Sequence, residues 1–306
     1  MTGPCAGRSA GAFACDGVRV LRCTAAAPEE VRSCLDIERC NADTGACDPA
    51  CPEGEVYIPP TGAEGFRMGT GSATFGFGSR KSGDTGHGQA DAPHTVVLTR
   101  PFCIDATEVT VAAMVECVRD RGCPPPSILD RWATYPKKPT YPVNMASWTK
   151  AKAFCDKSGK SLPTEAQWEW AASGGDRKWP WGDEAPTCAR ADYTAASLET
   201  PGGDSGCHGG GPSPVGAHPD GDRILPTGRI QDLAGNVWEW CLDNYEPYPT
   251  SKQVDPLVLR GAGGNHVVRG GGWNRSHKGI MTSFRGAAIV TYQVPGLGFR
   301  CVRNPG

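Results

Sequence analysis

Cysteines constrain this chain more than any other residue type. There are fifteen in 306 residues, they are spread singly, and no pair has the Cys-x-x-Cys spacing that is typical of zinc ribbons. Cysteines distributed in this way through glycine- and proline-rich loops indicate disulfide bonds and therefore an oxidising compartment. Because the count is odd, at least one thiol is free, bound to a metal or paired with another chain.

The cysteines also predict two domains. Residues 1–51 contain seven cysteines and few large apolar side chains, which predicts a small module held together by disulfides rather than by a core. Residues 52–306 form the second, larger domain. One of the seven must have a partner outside the module, in the second domain or in a segment upstream of this sequence. The seven are Cys5, Cys15, Cys23, Cys34, Cys40, Cys47 and Cys51.

Charge and hydropathy exclude other classes of protein. The formal net charge of −2 provides no basic field for nucleic acid. No run of about 18 apolar residues is present, so no segment is expected to span a membrane. The first residues do not resemble a signal peptide, and we expect an export signal or a lipid anchor upstream. The expected location is extracellular, periplasmic or at the cell surface.

The residue pattern predicts an α+β fold with little regular secondary structure. The 41 glycines and 27 prolines predict long ordered loops. Helices are predicted after Thr110, near Ser147 and after Thr164, where Thr164-Glu165-Ala166-Gln167 fits a capping box. No further helix is expected beyond Gly175. Short apolar runs predict strands at 56–58, 66–69, 95–98, 102–104, 237–240, 267–269 and 299–302.

Eight short motifs, in one order, carry a family resemblance. Each motif is weakly specific alone, but the ordered set resembles the formylglycine-generating enzyme, or sulfatase-modifying factor, family over about residues 53–304. The resemblance implies a C-type-lectin-like fold with bound calcium. The motifs are Phe66-x-Met68-Gly69; Ile104-Asp105-x-x-Glu108-Val109-Thr110; Pro142-Val143-x-x-x-Ser147-Trp148; the segment Leu162–Ala172; Trp181-Gly182-Asp183; the segment Asp232–Trp240; Arg269-Gly270-Gly271-Gly272-Trp273; and Gly298-Phe299-Arg300-Cys301.

One loop of this sequence departs from the family at the atoms that carry the chemistry. The resemblance implies two cysteines that bind copper(I) and oxidise a cysteine of a sulfatase to formylglycine. Those positions are Arg275 and Ile280 here, and a family serine is Gly272. Neither Arg nor Ile supplies a thiolate, so copper-dependent cysteine oxidation is not expected. His277 and Met281 are weak alternative copper ligands, and no His-x-x-x-His-x-Glu iron motif is present.

Calcium is the cofactor that the resemblance does imply. The family site maps onto Asp232, Gly235, Val237 and Glu239, which would supply two carboxylates and two backbone carbonyls. The alternative is a tight turn in which Glu239 forms a salt bridge and no ion binds. A second calcium site would begin at Asp192 and Tyr193, with Asp204 as a further ligand.

Three disulfides of the larger domain are predicted from position. Cys117 and Cys123 flank a helix end, Cys188 and Cys207 bracket a loop, and Cys103 and Cys301 lie on an early and a late strand. Cys155 and Cys241 remain, either as a fourth pair or as two buried thiols.

Two functions fit these residues. The first is a secreted or envelope-associated, bacterial, lipoprotein-like pseudoenzyme, in which the altered loop binds a protein or peptide. Its contact set would be Trp273, Asn274, Arg275, His277, Lys278, Arg285 and Tyr292. The alternative is an oxidoreductase of different chemistry in the same cleft, with Trp238, Arg275 and His277 as candidate residues.

Overall fold

The computed structural model describes most of the larger domain and parts of the N-terminal module. The described residues are 4–6, 8–16, 19–24, 28–33, 38–40, 47–49, 51–69, 75–76, 93–194, 206–260 and 264–304. Within them the protein combines short strands with few helices, which confirms the predicted α+β class. None of the described helices has the length and apolar character needed to cross a bilayer.

All three predicted helices are present with the expected N-caps. Thr110 caps α1 (Val111–Arg121) and Ser147 caps α2 (Trp148–Lys157). Thr164 and Gln167 form the predicted capping box at the start of α3 (Glu165–Ser173). Helix α1 ends at Arg121, where the left-handed Gly122 donates its backbone N–H to the carbonyl of Cys117.

The strands are short and are spread over several small sheets. The largest sheet has five strands in the order Leu297–Gly298, Trp238–Asn244, Asn265–Arg269, Gly286–Ile289 and Phe75–Gly76, and the second, third and fourth of these are antiparallel. The strands are β1 (Phe13–Asp16), β2 (Arg19–Arg22), β3 (Glu29–Ser33), β4 (Glu38–Cys40), β5 (Cys47–Pro49), β6 (Glu55–Ile58), β7 (Phe66–Met68), β8 (Phe75–Gly76), β9 (His94–Val97), β10 (Phe102–Asp105), β11 (Arg223–Leu225), β12 (Gly228–Ile230), β13 (Trp238–Asn244), β14 (Gln253–Val254), β15 (Asn265–Arg269), β16 (Gly286–Ile289), β17 (Leu297–Gly298) and β18 (Val302–Arg303).

The two ends of the larger domain meet in a second sheet. Strand β10 lies between β6 and β18, so the first and last strands of the larger domain are joined through it. The predicted final strand at 299–302 is instead two short strands, β17 and β18, on either side of residues 299–301. Among the described residues, the two largest apolar clusters lie around Trp238, Trp240 and Phe299 and around Trp168 and Phe102.

Disulfides link distant parts of the chain as well as local turns. The structure joins Cys117 to Cys123 and Cys188 to Cys207, which are the two local pairs expected from sequence. The predicted Cys103–Cys301 pair is wrong. Strand β10 packs Cys103 against Cys51, whereas Cys301 meets Cys155 of α2. Cys155 therefore does not pair with Cys241, which is a buried free thiol.

The N-terminal module has its own strands. Strands β1, β2 and β3 form one antiparallel sheet, β4 and β5 pair in antiparallel orientation, and a disulfide joins Cys5 to Cys23. The Cys51–Cys103 bridge ties the end of the module to the larger domain, which is one of the two locations expected for the odd partner. The domain boundary at residue 51 stays a prediction, and Cys34 lies outside the described residues.

Candidate functional site

The first site element is the turn before β13, residues 232–237. Asp232, Gly235 and Asn236 have positive φ values of 58°, 86° and 53°. Gly235 is required here because a Cβ would overlap the carbonyl oxygen of Asp192. The backbone N–H of Asn236 donates to that same carbonyl at 2.9 Å, so the turn is held against residue 192.

A buried ion pair closes this turn. The Glu239 carboxylate accepts hydrogen bonds from the Arg300 guanidinium at 2.7 and 2.8 Å and from the Trp168 indole at 2.7 Å. All three side chains are fully buried. The salt bridge of Glu239 that belongs to the alternative without calcium is therefore present, with Arg300 as the partner, and calcium binding stays a prediction.

Glu108 is a third carboxylate that the sequence did not reveal as part of this cluster. Its oxygens accept hydrogen bonds from the Asn236 amide at 2.9 Å and from the backbone N–H of Val237 at 3.3 Å. Burial raises the pKa of Glu108 well above its usual value, and the charges of Asp232 and Glu239 raise it further. Glu108 belongs to the Ile104–Thr110 motif, so the sequence marked the residue itself. Nothing in that motif indicated its contact with Asn236, which lies 128 residues further along the chain.

The net charge of the buried cluster of Glu108, Asp232, Glu239 and Arg300 fits a divalent cation. Some of its carboxylate oxygens, however, are already used in hydrogen bonds. Glu108, Asp232 and Glu239 carry three negative charges in the ionised state, and Arg300 supplies one positive charge. The Asp232 carboxylate accepts the backbone N–H of Gly216 at 2.6 Å, and burial raises the pKa of Asp232 to about 6. Because Arg300 already chelates Glu239, a calcium ion would have to share that carboxylate. Among the described residues, no three His, Cys, Asp or Glu side chains converge to hold a metal ion. This does not test the predicted calcium site, which uses only two such side chains together with two backbone carbonyls.

The second predicted calcium site contains a buried carboxylate and a carbonyl that already accepts one hydrogen bond. Asp192 is buried, and its Oδ2 accepts a hydrogen bond from Ser213 at 2.6 Å. The Tyr193 carbonyl accepts the backbone N–H of Cys207 at 3.0 Å, so it is engaged by the loop that should supply the remaining ligands. Asp204 lies outside the described residues.

The second site element is the loop that follows Arg269, and it packs directly on the first. Gly270 accepts the backbone N–H of Gly235 at 2.9 Å, and Trp273 donates its backbone N–H to Asn236 at 2.8 Å. Gly271 has a φ of 74°, and a Cβ there would lie 2.7 Å from Cγ2 of Ile280. The glycines let this loop fold back upon its own start.

The two positions that hold copper ligands in the family contain no thiolate here. Ile280 is completely buried in an apolar cluster with Trp179, Ala191 and Ala234. The Arg275 guanidinium lies over the Trp238 ring, 5.9 Å from its centroid, and burial lowers the pKa of Arg275 to about 10. A cation and a buried alkyl group do not fit copper(I), which requires soft ligands.

The free cysteine does not replace the missing thiolates. Cys241 is fully buried in the apolar cluster that contains Trp168 and Phe102. This cluster is separate from the one around Ile280. Burial raises the pKa of the Cys241 thiol well above its usual value, and the charge of Glu165 adds to this effect. The thiol is therefore in the protonated form, which is a poor nucleophile and a poor metal ligand.

The predicted contact set is divided by the structure. His277 and Lys278 are exposed, and Asn274, Arg275 and Tyr292 are partly exposed. Trp273 is only 3% exposed and packs against Trp132, so it is a packing residue rather than part of an exposed contact surface. The candidate Trp238 is fully buried and packs near Phe284.

Arg285 was wrongly assigned to the contact surface. It is 3% exposed and forms two hydrogen bonds with the Glu165 carboxylate at 2.5 and 2.7 Å. Its guanidinium also lies 3.8 Å from the centroid of Tyr248 and 4.5 Å from that of Tyr245. The carboxylate and the two aromatic faces stabilise the charge inside the protein, so Arg285 is a structural residue.

Comparison with known proteins agrees with this geometry. Residues 62–305 match the model of the Sulfatase-modifying factor enzyme 1-like domain. The chain belongs to this family. The formylglycine-generating enzyme of Streptomyces coelicolor is 32% identical over 85% of this chain and 92% of that protein. The Inactive C-alpha-formylglycine-generating enzyme 2 of Bos taurus is 33% identical over 56% of this chain and 52% of its own length.

The fold of the family is also found in solved structures. The structure of PvdO from Pseudomonas aeruginosa superposes with a TM-score of 0.58 and 20% identity, covering 83% of this chain and 95% of that one. At this level of identity the similarity establishes the shared fold alone. The relatives of this sulfatase-modifying-factor domain thus include an enzyme and a protein described as inactive.

Proposed function

We propose that this domain is a non-catalytic binding or structural module of the sulfatase-modifying factor family. The observation that carries the proposal is the filling of the family's copper positions by the Arg275 guanidinium over Trp238 and by the buried Ile280 side chain. The surrounding frame is retained, including the ion pair between Glu239 and Arg300. A retained frame around replaced ligands supports a change of role rather than a loss of folding.

Gly272, which stands where the family has a serine, supports the same conclusion. A serine at Gly272 would place its Cβ 3.2 Å from Cδ1 of Trp238 and 3.3 Å from the carbonyl oxygen of Gly296. These contacts are tight, so the loop is closely packed around a residue without a side chain. The position is therefore adapted to glycine rather than to a hydroxyl that would act on a substrate.

A protein or peptide is the ligand class that the exposed residues favour. His277 and Lys278 lie on the surface of the loop, and Tyr292 and Asn274 are partly exposed nearby in sequence and fold. A cationic and aromatic rim over a rigid, buried base is a common arrangement in protein interfaces. The disulfides fit an extracellular or secreted protein, and we propose a lipid anchor or export signal upstream.

Restoring the thiolates provides the sharpest test of the non-catalytic role. The wild-type protein should neither bind one equivalent of copper(I) nor oxidise a sulfatase-derived cysteine peptide. The double variant Arg275→Cys/Ile280→Cys should bind copper(I), as measured by competition with a chromophoric copper(I) chelator. Stoichiometric copper binding or peptide oxidation by the wild type would show that the proposal is wrong. It would favour the alternative, an oxidoreductase of altered chemistry.

The binding surface can be tested separately with a defined probe. Selection of displayed random peptides on the folded wild-type protein should enrich sequences that bind it directly. Binding of the enriched peptides should weaken in Lys278→Glu and Tyr292→Ala, while Arg119→Glu, on the exposed end of α1, should bind as the wild type does. Enriched peptides that bind all these variants equally would place the contact surface elsewhere.

We further propose calcium as a brace for the turn 232–239. The support is the excess of carboxylates over Arg300 in the buried cluster. Calcium should raise the melting temperature of protein that has been treated with a chelator, and magnesium should be less effective. The Asp232→Asn variant should respond less than the wild type. An identical melting temperature with and without calcium would contradict this part of the proposal.

A further inference from the structure

A cavity of about 270 Å³ lies between strand β7, the end of helix α3 and residues 281–283. Its volume is slightly below the range of about 300–1,000 Å³ that is typical of ligand pockets, so it fits a small molecule. None of the residues of the predicted peptide-contact set lines it. The cavity is therefore distinct from the surface to which peptide binding is assigned above.

Three cationic side chains line this cavity, and they come from two elements. Arg67 lies in the middle of β7 and is exposed, whereas Phe66 and Met68 on either side of it are buried, because successive side chains of a strand point to opposite faces. Arg177 and Lys178 follow the end of α3, with Arg177 half-buried and Lys178 exposed. Three positive charges thus border one small volume.

None of these three cations has a carboxylate partner in the part of the chain that the structure describes. Arg67 forms no side-chain hydrogen bond or salt bridge there. Nη1 of Arg177 donates to the carbonyl oxygen of Ser173 at 3.2 Å, which uses one of the five N–H groups of the guanidinium. The Lys178 ammonium lies 4.5 Å from the centroid of the Trp179 ring, a contact that leaves its net charge intact.

A fourth cation, Arg223, lies beside Arg177. Nη2 of Arg223 and Nη1 of Arg177 are 2.5 and 2.8 Å from the position that a Cβ on Gly174 would take, so the two nitrogens are at most 5.3 Å apart. Burial lowers the pKa of Arg223, and the charge of Arg177 lowers it further. Two guanidinium groups at this distance repel each other, and an anion next to Arg177 would weaken that repulsion.

The two carboxylates that line the cavity do not neutralise these cations. Glu169 is buried, and its oxygens accept hydrogen bonds from the backbone N–H of Gly69 at 2.7 Å and from the Arg269 guanidinium. Asp176 is exposed to solvent, which screens its charge, and it forms no salt bridge with any described side chain. The cavity therefore keeps an excess of positive charge.

Thr282 holds the basic segment in place from the opposite wall. Its backbone N–H donates to the carbonyl oxygen of Lys178 at 3.0 Å, and its hydroxyl donates to the carbonyl oxygen of Arg177 at 2.6 Å. On the other side, the bond between Gly69 and Glu169 ties the end of β7 to α3. The backbone that carries the cations is thus fixed before a ligand arrives, which lowers the entropic cost of binding.

We propose that this cavity binds a small molecule that carries a phosphate group. A phosphate monoester has a charge of about −1.5 to −2 at pH 7, which matches three cations better than the single charge of a carboxylate does. The planar guanidinium groups of Arg67 and Arg177 are suited to paired hydrogen bonds with its oxygens, and Lys178 adds a point charge. Free phosphate and phosphate esters share this chemistry. At about 30 Å³ for each water-sized group, the cavity holds more than the five heavy atoms of a phosphate, so a short organic group fits beside it.

Titration calorimetry of phosphate-free protein tests the site with two probes, inorganic phosphate and glycerol phosphate. One saturable site per chain is expected, with affinity that falls as salt is added. Tighter binding of glycerol phosphate would identify an ester as the ligand, and equal binding would identify the phosphate group alone. Arg67→Ala and Arg177→Ala should each weaken binding by about tenfold or more. Arg119→Ala is the matched control, because it removes an exposed arginine on α1 and should bind as the wild type does.

The Arg67→Ala variant separates binding from folding. Because the Arg67 side chain has no partner among the described residues, its removal should leave the melting temperature without phosphate unchanged. Three results would overturn the proposal. They are no saturable binding at millimolar concentrations of either probe, unchanged affinity in the Arg67→Ala/Arg177→Ala double variant, and equal weakening in Arg119→Ala, which would reduce the effect to general surface charge.

Discussion

The turn 232–240 and the loop 273–282 differ in what they have kept from the same family. The turn retains the family's residues and buries them, with Glu239 bonded to Arg300 and Trp168. The loop retains only its frame, and Arg275 and Ile280 replace the reactive groups. The two elements are nevertheless in direct contact through Trp273 and Asn236.

This difference shows that scaffold and chemistry are separable within one compact region. The turn determines how β13 enters the main sheet, so its residues are constrained by packing and by buried charge. The outer part of the loop, with His277 and Lys278, is exposed and carries no comparable constraint. Substitutions in the turn should therefore affect folding, whereas substitutions in the outer loop should affect binding.

The largest expected effect comes from breaking the ion pair of the turn. The Glu239→Gln variant would leave the buried Arg300 guanidinium without a charged partner, which should lower the free energy of unfolding by about 3–5 kcal/mol. Denaturant unfolding monitored by tryptophan fluorescence measures this loss. An effect below 1 kcal/mol would mean that the turn is no more constrained than the loop.

Asp243 on strand β13, which continues from the turn, should also make the free energy of unfolding depend on pH. Burial and the neighbouring Glu165 charge raise the pKa of Asp243 from 3.8 to about 7. Between pH 3.8 and about pH 7 the folded state binds more protons than the unfolded state. Stability should therefore fall as pH rises through this range and level off above about pH 7. The loss should reach at most about 4 kcal/mol. In Asp243→Asn the slope of unfolding free energy against pH should flatten, whereas Lys278→Met should keep the wild-type slope.

A smaller effect is expected from the backbone of the turn. Gly235→Ala forces a Cβ into the Asp192 carbonyl at a φ of 86°, and should cost about 2–3 kcal/mol. Gly209 is a matched control, because it has a φ of 85° but no atom within 4 Å of the added Cβ. Gly209→Ala should cost about 1 kcal/mol. Equal losses in thermal unfolding would show that backbone strain, and not the contact with Asp192, determines the requirement for glycine.

The smallest effect on stability is expected in the outer loop. Lys278→Ala and His277→Ala should each change the free energy of unfolding by less than about 0.5 kcal/mol, because both side chains are exposed. Ligand binding should respond more strongly than stability in the same variants. A loss of several kcal/mol in either variant would remove the distinction between the two elements.

Local signals in the sequence were sufficient to predict the three helices and to recognise the family. The caps at Thr110, Ser147 and Thr164 are contacts between residues three positions apart, so they can be inferred without knowledge of the fold. The absence of cysteine at positions 275 and 280 was equally visible. These features depend on neighbouring residues only, and the structure retains them.

Long-range partners were not predictable in the same way. Nothing local indicates that Arg285 meets Glu165, which is 120 residues away, or that Glu108 contacts Asn236. The same reason explains the wrong pairing of Cys103, since position on an early strand did not identify its partner. Pairings across the fold follow from how sheets and helices pack, and a single sequence leaves several arrangements open.

The bridge between Cys51 and Cys103 has a mechanical consequence. Cys103 lies on β10, the central strand of its sheet, between β6 and β18. A pulling force applied through the N-terminal module would cross the covalent bridge to the middle of that sheet and would bypass the part of the chain between residues 52 and 102. The load would then be shared in shear by the hydrogen bonds on both sides of β10, and peeling of a single edge strand would be avoided.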